Sequence, residues 1–116
     1  MQLPPHYSPA IQAGKFVFTS GQLPIITKDP LKGPKSIEAQ TELVLSKVIE
    51  ILSNYGMDKS HIIKTTAFIT NIDDWDPVNK AYVDFFDNLK PARSAIPVSK
   101  LHFGCRIELE AVAYKE

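Results

Sequence analysis

Two short segments near the C-terminal end carry the residue types best suited to chemistry. Pro91-Ala92-Arg93-Ser94 offers a guanidinium, and Ile107-Glu108-Leu109-Glu110-Ala111 offers two carboxylates. A guanidinium stays charged at any physiological pH and grips a carboxylate through two parallel hydrogen bonds. A carboxylate held near it can orient or deprotonate a water. The pair points to hydrolysis of a small organic acid with neither a metal nor a covalent nucleophile. Each residue alone has a plainer reading. A lone Arg is most often a surface ion-pair partner, and a lone Glu in a strand is most often solvated or paired. Glu108 and Glu110 stand two apart in an alternating segment, so they share a face and would raise each other's pKa if desolvated. Sequence does not separate their roles.

The other candidates narrow the chemistry further. Ser20-Gly21-Gln22 falls at a strand end, where the glycine lets a ligand come close to the backbone, although a simple turn is the commoner meaning. No G-x-S-x-G elbow surrounds Ser20, which makes it a poor hydrolase nucleophile. His6, His61 and His102 are dispersed, with no H-x-x-x-H or Cys/His pair, so no zinc site is expected. The chain has one cysteine, Cys105, which reads as a core or strand residue. A single cysteine permits no intramolecular disulfide and fits a reducing compartment. Neither a phosphate loop nor a dinucleotide fingerprint occurs.

A short alternation of elements must position these residues. Pro4 to Pro9 should be extended or irregular, because proline disfavours helix at and before itself. Lys15 to Ser20 is aromatic and β-branched and predicts a strand, ended by Gly21. Residues 24–34 read as a loop. Ser36 is a natural N-cap for a long helix, in which Ile37, Thr41, Val44, Val48, Ile51 and Tyr55 recur every three or four residues and Gly56 marks the stop. His61 to Thr70 predicts a second strand. Asn71 to Asp74 is a capping turn, followed by a helix that tolerates Pro77 in its first turn. Val78, Ala81, Tyr82, Phe85 and Phe86 form its apolar face. Ser94 to Val98 and Cys105 to Tyr114 predict two more strands. In the last, Ile107, Leu109, Ala111 and Ala113 share one face, while Glu108, Glu110, Val112 and Tyr114 share the other. The simplest packing is one α+β domain over residues 1–116, with both helices on one face of the sheet. The face that holds the glutamates is too mixed for plain solvent, and another subunit would account for it.

Composition sets outer bounds. The chain has 116 residues, enough for one domain, with 44% hydrophobic and 22% charged residues. Thirteen basic residues balance thirteen acidic ones. That balance, with no local Lys or Arg run, argues against nucleic acid as a partner. Met1-Gln2-Leu3-Pro4-Pro5 has no features of a leader, and no apolar run approaches a membrane span of about 20 residues. The expected location is the cytoplasm, with no membrane partner.

Taken together and in order, four motifs resemble the RidA (YjgF) family of reactive-intermediate deaminases. They are Phe18-Thr19-Ser20-Gly21-Gln22-Leu23-Pro24, Val78-Asn79-Lys80-Ala81-Tyr82 with Phe85-Phe86, Pro91-Ala92-Arg93-Ser94, and Ile107 through Ala113. The resemblance implies a chorismate-mutase-like fold, a homotrimer with pockets between subunits, and no cofactor. It implies hydrolysis of enamines and imines such as 2-aminoacrylate and 2-iminopropanoate to 2-keto acids and ammonia. Matched position by position, Arg93 corresponds to the arginine that holds the substrate carboxylate, and Glu108 to the acid associated with the hydrolytic water. Tyr7, Ser20, Gly21 and Asn79 correspond to substrate-binding positions around the pocket. Ala95 stands where many members have a cysteine, although its backbone carbonyl could still hold a water. The stretch between Phe86 and Arg93 is shorter than in typical members, and Pro97 is unusual in its strand. A binding module for small carboxylic acids such as keto acids is the alternative on the same fold. RNA cleavage or translation inhibition, attached to some relatives, is a weaker one that the balanced charge opposes.

Overall fold

Ser36 starts the longer helix as its residue type predicts. Its hydroxyl accepts a hydrogen bond from the Ala39 amide at 3.2 Å, and helix α1 runs Ile37–Ser53. The computed structural model describes residues 3–27, 29 and 32–116. The reading of Met1 and Gln2, and of Lys28, Pro30 and Leu31 in the 24–34 loop, lies outside the described residues.

Helix α2 covers Trp75–Phe86 and buries Val78, Ala81, Tyr82 and Phe86, the face its spacing predicts. Five strands form one mixed sheet: β1 (Ala10–Ala13), β2 (Phe16–Thr19), β3 (Ile62–Ile69), β4 (Ala92–Pro97) and β5 (Ile107–Tyr114). Their order across the sheet is β1-β2-β5-β3-β4. Only β3 and β4 pair in parallel, joined by the crossover through α2. The core lies between the helices and one face of the sheet. Val44, Leu45, Val48 and Leu52 of α1 and Ile69, Ile107 and Leu109 of the strands are fully buried there. This is the expected α+β plan, with two helices on one face.

Three boundaries differ from expectation. Strand β1 stands between the expected irregular stretch and the expected strand, where the sequence reading placed no element. Its Ala10 alone is buried, so its alternation is faint. The hairpin is made by Gly14 at φ 60 in the two-residue connection between Ala13 and Phe16, a left-handed conformation glycine adopts at low cost. Strand β4 begins at Ala92, so Arg93 lies inside it, and Pro97 ends it. Cys105 is buried, but it precedes β5 at the end of a 3-10 turn over His102–Gly104.

The second sheet face is uncovered in the protomer. Ile11 pairs with Phe18, and Phe16 with Tyr114, so apolar side chains line up across strands. Ile11, Phe18 and Phe16 remain 58%, 46% and 39% exposed. The ring centroids of Phe16 and Tyr114 are 4.9 Å apart. A clustered apolar patch of this kind marks an interaction surface.

Candidate active site

Register decides where the guanidinium goes. Arg93 aligns with Thr65 of β3, and Thr65 is fully buried beneath the helices, so Arg93 projects to the helix side of the sheet. Its guanidinium carbon sits 4.6 Å from the Trp75 ring centroid and 4.7 Å from that of Tyr82. Two aromatic faces thus hold the cation without consuming its N–H donors. The Tyr82 hydroxyl is fixed in turn, 2.7 Å from Thr65 Oγ1. Burial pushes the Tyr82 phenol up, opposed by the Thr65 hydrogen bond and the Arg93 charge. Among the described residues, no carboxylate or carbonyl pairs with Arg93. A cavity of about 330 Å³ opens beside it, lined by Trp75, Asn79, Tyr82, Leu89 and Pro91 among others. Ala95 follows on the same face of β4, aligned with buried Ala67.

Glu108 lies on the other face. It aligns with Phe68, one residue out of phase with Ala67, and its neighbours Ile107 and Leu109 take the buried side. Its carboxylate lies across Gly21. A Cβ at that position would run into the carboxylate oxygen and stand 2.8 Å from the carboxyl carbon. Glycine is therefore required there by close approach. The strand end is held in place by paired backbone bonds, Gln22 N to Leu109 O at 2.8 Å and Leu109 N to Gln22 O at 3.0 Å. Ser20 donates its amide to Pro9 O at 2.8 Å and its hydroxyl to Ser8 O at 2.6 Å. Those bonds fasten the segment that carries Tyr7, whose side chain is 68% exposed. Glu108 also borders an open hollow with Lys100, Leu101 and His102. Glu110 belongs to a smaller hollow with Phe18, Lys64 and Thr66. The geometry thus separates the two glutamates: Glu108 is the one beside Ser20 and Gly21.

The candidate residues therefore fall into two groups. Arg93, Asn79 and Ala95 are on the helix side, while Glu108, Ser20 and Gly21 are on the open side with Tyr7 on the adjoining segment. The sheet separates Arg93 from Glu108, so a single copy does not bring the two predicted catalytic groups together. A half-buried ion pair lies between the two sets of residues. Arg106 Nη2 donates to Asp74 Oδ1 at 2.8 Å and Oδ2 at 2.9 Å, and the Arg106 amide donates to Gln40 Oε1 at 2.8 Å. Asp74 adjoins Trp75, and Arg106 is two residues from Glu108.

Sequence reasoning missed Trp75 and Thr65, and it read Tyr82 as core alone. An aromatic at the start of a helix whose turn faces an Arg-bearing strand was the available signal for Trp75. Cys105 is not poised as a nucleophile. Burial pushes its thiol up and the Glu108 charge adds to this, against the pull of Lys47. Among the described residues, no group of three or more His, Cys, Asp or Glu converges as a metal site, and no helix is long and apolar enough to cross a membrane.

Comparisons with known proteins show what the chain is similar to. The family described as Endoribonuclease L-PSP matches residues 2–115. A RutC family protein of Pyrococcus horikoshii is 41% identical over 112 residues, covering 95% of this chain and 87% of that one. Reactive Intermediate Deaminase A, chloroplastic, of Arabidopsis thaliana is 39% identical over 107 residues, covering 92% of this chain and 57% of that one. The structure of Escherichia coli TdcF with bound serine superposes with a TM-score of 0.87 at 34% identity, covering 99% of this chain and 91% of that one.

Proposed function

Because the chain belongs to the Endoribonuclease L-PSP family, which includes YjgF, RutC and reactive-intermediate-deaminase proteins, we propose that it hydrolyses 2-imino acids to 2-keto acids and ammonia. The working site forms between copies in a homotrimer. Arg93 of one protomer binds the substrate carboxylate, with Asn79 and the Ala95 backbone bordering it. Glu108 of the next protomer, with Ser20, Gly21 and Tyr7, faces the C=N carbon. The observation that carries this reading is the unpaired guanidinium held over Trp75 and Tyr82 beside an open cavity. A fixed cation with free donors is an acceptor for a planar anion. The uncovered apolar sheet face supplies a surface on which a second copy can seat.

The chemistry needs little else. A protonated imine is already electrophilic. Glu108 takes a proton from water as the water oxygen bonds to the imine carbon. The proton passes on to nitrogen as the carbinolamine collapses and the C–N bond breaks. Water is consumed, and the keto acid and ammonium leave. Serine, named as the ligand of TdcF, carries the carboxylate that such an arginine would hold.

Imine generated in place by an amino-acid oxidase, with keto-acid release timed, tests the assignment. Arg93→Ala should lower kcat/KM by roughly a hundredfold or more, the size expected for losing two charge-assisted hydrogen bonds. Unchanged turnover in that variant would remove Arg93 from the mechanism. Tight keto-acid binding by calorimetry without acceleration of hydrolysis would favour the binding module instead.

A further inference from the structure

Lys47 is the one cation of helix α1. Its side chain is half-buried, and its ammonium donates to Leu23 O at 2.7 Å and to Ile25 O at 3.0 Å. Among the described residues it forms no ion pair. Burial pushes its amine down, opposed by the charges of Cys105 and Glu50. A cation drawn partly out of water is costly unless hydrogen bonds compensate it. Here two backbone carbonyls do so, using two of the three N–H donors. Both belong to the turn that follows Gly21. Leu23 O also accepts from the Ile25 amide at 2.8 Å, and Pro24 between them is buried. One residue before that turn, Gln22 exchanges both backbone bonds with Leu109, the neighbour of Glu108. One further back is Gly21, which leaves no room for a Cβ beside the Glu108 carboxylate.

We infer that Lys47 is a positioning residue for Glu108: by clamping the 23–25 turn to helix α1 it keeps Gly21 and Gln22 seated, and so fixes the carboxylate that lies across the glycine. The ammonium reaches Glu108 only through this backbone, and it has no part in holding Arg93. Its loss therefore acts on turnover and leaves carboxylate binding alone. This inference rests on the proposed hydrolysis, in which Glu108 is the base, and names the residue that sets where that base stands.

Two measurements on the full chain test it. Lys47→Met keeps the apolar stem and removes the donors. Its kcat for imine hydrolysis should fall by roughly tenfold to a hundredfold, the effect of a small displacement of a reacting group. The calorimetric Kd for pyruvate should stay within about twofold. Lys47→Arg returns a cation with donors and should recover most of the loss. In a Gly21→Ala background, where the carboxylate is already displaced, Lys47→Met should cost no more than about twofold further. An unchanged kcat in Lys47→Met, a full additional loss in the double variant, or a pyruvate Kd weakened as much as kcat would overturn the inference. Lys47→Ala, which suits a helix and also lacks donors, replaces Lys47→Met should that chain not fold. The second measurement, amide hydrogen exchange, needs no turnover. Exchange at Gln22 and Leu109 should quicken by roughly tenfold in Lys47→Met. Faster exchange at those amides supports the clamp even if the parent hydrolyses no imine, an outcome that would refute the deaminase reading alone. Unchanged exchange refutes the clamp even if hydrolysis is fast.

Discussion

On its helix side the sheet is covered by its own chain. There Val44, Val48, Leu109 and Ile107 close a dry core, and Arg93 sits at the margin on two aromatic rings. On the open side the sheet shows Phe16, Phe18 and Ile11 to solvent, and the carboxylate of Glu108 rests on a glycine. Alternation along β4 and β5 produces both faces from the same segments. The difference teaches that one copy can build and hold each chemical group but cannot join them. The helix side positions a cation and the open side a carboxylate, and under the proposed function assembly brings the two together.

The largest effect should come from spoiling the open face. Phe18→Asp places a charge in the apolar patch of a side chain that the protomer itself leaves exposed, so folding should survive. Sedimentation should show monomer, and imine hydrolysis should fall by more than about a hundredfold, since the site loses one of its halves. A monomer that retained full activity would break the comparison.

Gly21→Ala comes next. The new methyl meets the Glu108 carboxyl group, so the base must move while the strands stay paired. A displacement near 1 Å can cost about a hundredfold. We expect a tenfold to hundredfold drop in kcat with keto-acid binding to Arg93 largely kept, read by kinetics alongside calorimetry.

The smallest effect sharpens the helix side. Tyr82→Phe removes the hydroxyl paired with Thr65 and should cost about 1–3 kcal/mol in chemical denaturation. It should also alter the alkaline limb. The folded Tyr82 pKa lies above its ordinary 10.0, so the unfolded chain releases that proton first. The contribution is complete below pH 10.0 and is lost as pH rises through the folded value. Thermal melts of the parent should fall across that range more steeply than those of Tyr82→Phe.

Much of this was legible in the residues. Period 3.6 in α1 and α2 and period 2 in β5 follow from burial, and they located Glu108 and Glu110 on one face opposite Ile107 and Leu109. Arg93 and Gly21 were readable from residue type and position, and the resemblance added Asn79 to them. What stayed hidden depends on register. That Arg93 aligns with Thr65 while Glu108 aligns with Phe68 is a property of pairing between distant segments, and local pattern does not contain it. Strand β1 was hidden because Ala10 is its sole buried residue. Trp75 was missed because its role is to hold another side chain.

Mixing two inactive variants tests the central claim most directly. Arg93→Ala and Glu108→Gln protomers are unfolded together, refolded as a random mixture, and assayed for imine hydrolysis. A site shared between neighbours predicts recovery to about a quarter of parental activity, since about that share of junctions in random rings joins an intact Arg93 to an intact Glu108. Activity that stays at the level of the separate variants, in a mixture shown to contain mixed assemblies, would contradict the account.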